Sequence, residues 1–499
     1  MSAARARNII AIALLLGVVG DISLRTEMPR LGLLLWVVLI VSSVLFLDAT
    51  RPLEGEGSRR SFEDRLLSVA LLIAPLGMVL RDAEDLYVLN GLSMLSLGAL
   101  WIWSARGRGL RDFELEDAPR AALMTAREAA TGAPALLRVG LADSGDGEGV
   151  AARADRRRDV VVGIVLAVPP LFIAARLLGS ADPLLGEWLG RWSAIISPQT
   201  LGHLLAIMVI TWIAMGWVWA VSRPLDGAGV APRPPRNGGG FARIAPTLYG
   251  LCLLFAVFLG LQLRALFGGA VYLAETSGLT VAEYARGGFF DLVAVTAVVL
   301  GVLLVADRLL GDARESDARR FRTAGALLLM LVTVPIISAV ARMSLYVSYF
   351  GLSIDRLNAF AGMLGIALAL AWFGWTVLRG RRERFGPGIL AITSLWVLSL
   401  NLVNPEAIVV RVNVARATAG QAFDVAYHLK LSADSRPALH DAIAVLPPLA
   451  CRELRQGLEL DRRSARFVPK DWQSWSEPTS ARRLARIAAT PECAPVGTP

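Results

Sequence analysis

The sequence predicts an all-α protein: a polytopic helical membrane bundle of about 11 spans, followed by a small C-terminal helical domain outside the cytoplasm. Three observations predict it. Of 499 residues, 55% are hydrophobic and 19% charged, whereas a soluble chain carries about a quarter charged residues. Apolar runs of spanning length recur as far as residue 403. Arginine, which supplies every basic residue except Lys430 and Lys470, is concentrated in alternate connections between those runs.

A membrane-crossing helix needs about 20 largely apolar residues, with roughly 17–25 tolerated. Eleven stretches meet this: 8–24, 31–47, 66–80, 86–103, 159–178, 201–221, 245–263, 288–306, 323–341, 358–378 and 386–403. The start, Met1–Arg7 followed by Asn8–Gly20, resembles a signal peptide. It has no convincing small-residue cleavage site and more spans follow, so it reads as the first span. The first and third stretches are short, which fits a tilted or partly inserted helix. Pro169-Pro170 kinks the fifth.

Loop charge sets the orientation. One set of connections carries two basic residues (Arg5, Arg7), four (51–65), ten (104–158), four (222–243), five (307–322) and four (379–385). The alternate set carries two (21–30), one (81–85), two (Arg176, Arg191), two (Arg264, Arg286) and two (Arg342, Arg356). The positive-inside rule then places the N-terminus in the cytoplasm and, after eleven spans, the C-terminus outside. This divides the chain into a four-span segment 1–103, a cytoplasmic loop 104–158, a membrane bundle of about seven spans at 159–404 and an external helical domain at 405–499.

Within the cytoplasmic loop, Asp117–Ala130 reads as a short amphipathic helix, and Asp143–Gly149 as a solvated linker without EF-hand spacing. The Pro-Arg-Pro-Pro-Arg-Asn-Gly-Gly-Gly run in 222–243 lacks the Lys-Ser/Thr of a phosphate loop and also reads as a linker. Pro183–Ile196 places Leu184, Leu185, Trp188, Leu189 and Trp192 on one helical face. That pattern fits either a helix in the outer interface or a connecting helix packed on the bundle.

The last span ends at Asn404-Pro405, because proline brings no N–H and drives its predecessor out of the α region. Beyond it the apolar runs shorten. Gln421–Leu431, Ser435–Leu446, Leu449–Leu460 and Ser480–Ala489 read as helices, the second capped by Ser435 or Asp434 and ended by Pro447-Pro448. Trp472 and Trp475 read as core of a small domain. In an oxidising compartment Cys451 and Cys493 pair as a disulfide; two separate buried thiols are the alternative.

Several function classes find no support. No basic stripe with interleaved aromatics points to nucleic acid. The three cysteines and three histidines show no metal spacing, so no metal or cofactor is expected. No hydrolase triad, Walker loop or kinase motif is present.

A set of motifs in 245–490 does carry a resemblance. They are Glu283-Tyr-Ala-Arg-Gly-Gly-Phe-Phe-Asp291, Arg342-Met-Ser-Leu-Tyr346 with Tyr349-Phe-Gly-Leu-Ser353, and Asn404-Pro-Glu through Asn413. Asp424-Val-Ala-Tyr427 with Leu431-Ser-Ala-Asp434, and Trp472-Gln-Ser-Trp475, complete the set. In these the chain resembles the bacterial domain-of-unknown-function family 4173, related to family 4153. Ser476 stands where that pattern has Asn after the second Trp. The resemblance implies a polytopic membrane protein with a C-terminal domain, and carries no activity or catalytic residue.

On the derived topology the motif residues converge on one outer face. Glu283, Arg286 and Asp291 lead into the eighth span; Arg342, Tyr346, Tyr349 and Arg356 form the next outer connection; Asn401, Asn404, Glu406 and Arg411 close the last span. A charge at membrane depth costs about 2.5–3.5 kcal/mol even on lenient scales, so these groups must pair or face water. Asp291 is the deepest, with Arg342 or Arg286 as its expected partner. The cluster is either a clamp between helices or the lining of a binding cavity.

The residues thus leave three function classes: a transporter or lipid-handling protein taking a lipid or amphiphile at the outer face, an envelope sensor or scaffold with a protein partner, and a transferase acting on a lipid-linked substrate. The reading favours a non-enzymatic protein of the bacterial cytoplasmic membrane. The transferase is the alternative, resting on Asp21 and Glu27 in the first outer connection.

Overall fold

The computed structural model describes residues 3–50, 62–105, 109–110, 113–114, 117–140, 198–222, 240–277, 289–311, 314–464, 466, 468–479 and 493, with isolated positions between 160 and 188. Side chains are described for these except 62, 198, 201, 262–277 and 289–293. Among the described residues all regular structure is helical. In chain order the helices are α1 (Ala3–Ser23), α2 (Arg30–Ala49), α3 (Phe62–Ala70), α4 (Ile73–Leu80), α5 (Glu84–Ala105), α6 (Asp117–Gly140), α7 (Pro198–Ser222) and α8 (Phe241–Ser277). They continue as α9 (Phe289–Leu310), α10 (Glu315–Phe350), α11 (Ile354–Thr376), α12 (Phe385–Val403), α13 (Pro405–Thr418), α14 (Val425–Lys430), α15 (Arg436–Ala442) and α16 (Pro448–Arg463).

Eight helical stretches among the described residues are long and apolar enough to cross a membrane. They are Ala3–Ser23, Arg30–Ala49, Glu84–Ala105, Gly202–Ser222, Phe241–Leu261, Glu315–Phe350, Ile354–Arg379 and Arg382–Val403, and each coincides with an expected span. The third expected span is divided into α3 and α4 by a turn at Leu71-Leu72. Pro75 has no N–H to offer the Leu71 carbonyl, so the helix restarts there. The eighth is a helix, α9. The fifth falls almost wholly outside the described residues, as do most of Pro183–Ile196 and both linkers.

Two apolar cores run through the bundle. The first joins α1, α2 and the helices up to α7 around Leu16, Val44, Trp101, Trp103, Leu136 and Val218. Its helices approach closely where glycine permits. A Cβ on Gly17 would stand 1.8 Å from Thr211 Oγ1, and one on Gly132 would stand 2.6 Å from the Gly216 Cα. The second core joins α8 to α12 around Leu248, Leu303, Phe321, Leu328, Phe373 and Phe385.

The amphipathic helix expected at Asp117–Ala130 continues through Pro134 to Gly140. Its later turns bury Ala133, Leu136 and Leu137 in the first core, which a reading by polarity alone does not reveal.

After Asn404 the chain enters α13 at once, a helix the sequence reading leaves out. Its apolar residues are interrupted by Glu406, Arg411 and Asn413, which blurs the helical period. Of the expected C-terminal helices, the first shortens to Val425–Lys430, the second to Arg436–Ala442, and the third lengthens to Pro448–Arg463. Ser480–Ala489 lies outside the described residues. These helices share a core of Val409, Val410, Leu439, Ile443 and Leu454 with Leu352 and with the facing ends of α10 and α11. Trp472, read as core, is substantially exposed, while Trp475 is half-buried.

The ends of the bundle sort by connection. Gln473 Nε2 donates to the Ile22 carbonyl (3.1 Å) and Glu477 N to the Val79 carbonyl (2.7 Å). Leu352 N donates to Asn413 Oδ1 (2.8 Å). The arginine-poor connections after α1, α4 and α10 therefore meet the C-terminal segment at one end. At the other, Arg5 reaches the Leu47 carbonyl and Arg382 the carboxylate of Asp307.

Candidate functional site

The polar residues around the α12–α13 junction come together, and their geometry starts with one backbone angle. Asn404 has φ 55°, the left-handed region that asparagine tolerates better than most residues. Its Oδ1 accepts from Ala407 N (3.0 Å), capping α13, and Pro405 fills the first helical position, where a missing N–H costs nothing. Its Nδ2 donates to the Asp434 carbonyl (3.1 Å).

Asp434 is the hub, and it is 1% exposed. Its Oδ2 accepts from the backbone N–H of Asp82 (2.6 Å) and Ala83 (3.0 Å), and its Oδ1 lies 3.6 Å from Arg81. Asp82 answers, accepting from Ala433 N (3.2 Å) and pairing with Arg30 (2.9 Å). Arg81 donates to the carbonyls of Asn401 and Leu402, which the end of α12 leaves without intrahelical partners. Asn401 in turn exchanges amide hydrogen bonds with Asn90, deep between α5 and α12. Asp434, expected to cap α15, is instead spent on the bundle. Ser435, the other expected cap, forms no capping bond.

Glu406 is 6% exposed and accepts from Ser432 N (3.2 Å) and Ser432 Oγ (2.7 Å). Burial pushes its carboxyl up to about 7 against those two hydrogen bonds, with Asp434 raising it further and Arg436 lowering it. Burial also pushes Asp434 up, opposed by the Asp82 and Ala83 N–H groups and by Arg81. Burial holds His428 below its ordinary value. Arg436 is brought down to about 10 by burial, although Asp461 stands 2.9 Å away.

A second cluster holds the α10–α11 turn. Asn413 accepts from Leu352 N and donates to the Leu352 carbonyl (2.7 Å), and its Nδ2 lies 3.0 Å from His428 Nε2. Arg416 donates to the carbonyls of Val347, Ser348 and Tyr349, and Arg356 to those of Phe350 and Gly351. The Arg356 guanidinium also lies 4.3 Å over the Tyr346 ring. Ile354 N donates to the Tyr427 hydroxyl (2.8 Å). Cys451 and Cys493 form a disulfide, their Cα atoms 5.9 Å apart.

Of the residues singled out in the sequence, Asn401, Asn404 and Glu406 join the first cluster, and Tyr346 and Arg356 the second. Tyr349 contributes only its carbonyl and its ring is exposed. Arg342 lies half-buried on α10, and Arg411 is exposed on α13. Glu283 and Arg286 lie outside the described residues, as does the side chain of Asp291, so its expected pairing does too. Sequence reasoning missed Arg30, Arg81, Asp82, Asn90, Arg416 and Arg436. One signal was available: Asn90 interrupts an apolar span, and an amide there needs a partner.

Chemically, both clusters place charged and amide groups on helix-end carbonyls and turn N–H groups. Among the described residues no three His, Cys, Asp or Glu side chains group as a metal site.

A family model described as a domain of unknown function, DUF4153, matches residues 66–442. The match begins in α3 and ends at the last residue of α15, so it takes in the Asn401–Asn413, Arg81–Asp82 and Asp434 groups of the two polar clusters, while Arg30 and Asp461 lie outside it. No curated protein and no solved structure gives a significant match.

Proposed function

The chain belongs to the family of the domain of unknown function DUF4153, and from that premise we propose that it is a non-enzymatic envelope scaffold or sensor of the bacterial cytoplasmic membrane. Its N-terminus faces the cytoplasm, and its C-terminal helices form an extracytoplasmic unit clamped to the outer end of the bundle. The clamp is the observation that carries the reading. Across the joint the Asp434 carboxylate accepts from the Asp82 and Ala83 N–H groups and the Asp82 carboxylate from the Ala433 N–H, and Arg81 ties Asp434 to the end of α12. A movement of the C-terminal helices is therefore transmitted to α4, α5 and α12 through short, charge-assisted links. The external unit is the surface on which an envelope protein would act, and the bilayer surrounds the rest.

Orientation is supported by the arginine bias and by the Cys451–Cys493 bridge, which belongs in an oxidising compartment. A phosphatase that folds only outside the cytoplasm, fused after Pro499, is expected to be active. Activity solely from a cytosolic reporter at that position overturns the orientation. For the clamp, an Asp434→Asn, Arg81→Gln double variant is expected to release the C-terminal helices to protease while the bundle remains folded. Unchanged protease resistance would remove the proposed coupling.

A further inference from the structure

Where the end of α1 meets the start of α7, a second polar group lies that the joint does not use. We propose that Asp21, Arg25 and His203 form a binding site for an anionic phosphate group. It lies at the end of the bundle that carries the C-terminal segment, since Gln473 bonds the carbonyl of Ile22 beside Asp21.

The site is built by close helix packing. Gly17 and Gly20 let α1 approach α7 closely, with Ile207, Ile210 and Thr211 filling the space their Cβ atoms would take. This brings Asp21, in the last turn of α1, to His203, near the start of α7. The Asp21 side chain is 4% exposed, and both of its oxygens are occupied. Oδ1 lies 3.1 Å from His203 Nδ1, and Oδ2 accepts from Arg25 Nη2 (2.7 Å) and Nε (3.3 Å).

The consequence is that a buried carboxylate aims a guanidinium and an imidazole. With Nδ1 turned to Asp21, His203 has Nε2 left over, and its side chain is 43% exposed. Arg25 is 45% exposed and keeps the guanidinium edge that does not face Asp21. Neither side chain makes a further hydrogen bond among the described residues. One carboxylate faces a guanidinium and a protonatable imidazole, so the group carries uncompensated positive charge whenever His203 is protonated.

Phosphate fits better than other anions for two reasons. The planar Arg fork matches its oxygens. In either protonation state His203 Nε2 can serve it, donating to a phosphate oxygen or accepting from a protonated one. The residues sit at the ends of spanning helices, at the depth of lipid headgroups, so an anionic phospholipid and a free phosphate are the two sources of this chemistry.

The chain has only three histidines, which makes the test direct. The full-length protein, labelled with nitrogen-15 histidine, is placed in phosphatidylcholine nanodiscs. The His203 signals are assigned with His203→Gln and followed while phosphatidylglycerol is doped in or inorganic phosphate is added. The expected result is a saturable shift of His203 Nε2 with His428, buried at the joint, unmoved. A response to phosphatidylglycerol alone identifies a lipid headgroup; a response to inorganic phosphate identifies a soluble anion. Arg25→Gln should weaken the response about tenfold, as loss of a charge-assisted contact does. No shift with either probe, or an undiminished shift in Arg25→Gln, overturns the proposal and leaves the three residues as an interhelical tie.

Discussion

Asn90 and Asn401 lie 311 positions apart and exchange amide hydrogen bonds of 2.9 Å in both directions between α5 and α12. Both are buried, and a Cβ on Gly77 would stand 2.7 Å from Asn401 Oδ1, so the amide pair fills a space opened by glycine. Removing one partner strands the other in an apolar setting. Asn401→Leu is expected to cost about 1–3 kcal/mol, read as a lower thermal midpoint in detergent. Asn90→Leu, Asn401→Leu together should recover part of that loss, since neither amide is then left unsatisfied. A double variant as unstable as the summed singles would mean the pair is not mutually dependent.

Glu406 makes the joint sensitive to pH in a direction fixed by its environment. Its carboxyl is raised from 4.5 to about 7, so the folded state prefers the neutral form. The resulting stability is fully present below 4.5 and is lost as pH rises through about 7. The groups around it are Ser432, Asp434 and Arg436, and the last two oppose each other. His428, lowered by burial, acts oppositely, losing stability as pH falls below its ordinary 6.5. Glu406→Gln isolates the carboxyl. It should raise stability at pH 8 by roughly 3 kcal/mol at most and little at pH 4, measured by denaturant melts. Equal effects at both pH values would show that Glu406 does not titrate in this window.

How much of this was legible in the sequence differs by physical cause. Spans are legible because length and apolarity are local properties, and eight helices fall where hydropathy places them. The α3–α4 break was less so, because Pro75 acts on a carbonyl four residues earlier within an apolar run. Asn404, Pro405 and Glu406 were visible as a helix stop with polar groups. Their partners were not, since Arg81, Asp82 and Asp434 are joined by tertiary structure across some 350 positions. Helix α6 reads in the sequence as a short amphipathic segment of the cytoplasmic loop; burial of its Ala133, Leu136 and Leu137 and the fit of Gly132 against Gly216 show that it is packed.

The Cys451–Cys493 bridge spans a sequence separation of 42, and the closed loop contains the segment that bonds Ile22 and Val79. The chain-entropy model gives about 4 kcal/mol for such a loop. Cys493→Ser should therefore lower the unfolding midpoint of the C-terminal helices and increase cleavage within the loop. Thiol labelling before and after reduction, followed by non-reducing gels, checks the starting state. Labelling of both thiols without reduction would contradict the bridge and weaken the case for an external C-terminus.

Gly351 closes α10 at φ 79°, where an L-residue is strained, and a Cβ there would stand 2.7 Å from Asn413 Oδ1. That oxygen is the acceptor for Leu352 N, and Asn413 Nδ2 also donates to the Leu352 carbonyl and meets His428. Gly351→Ala should thus do more than strain one residue. Displacing Asn413 leaves the buried N–H and carbonyl of Leu352 unpaired and unseats His428, so about 2–4 kcal/mol is the expected loss. Asn413→Ala should give much of the same loss without backbone strain. The two changes combined should therefore cost less than their sum, because they break the same bonds. Hydrogen exchange at Leu352 is the direct readout: its amide should be protected in the parent and exchange rapidly in both single variants. A protected Leu352 amide in Asn413→Ala would mean that this side chain is not what fixes the turn.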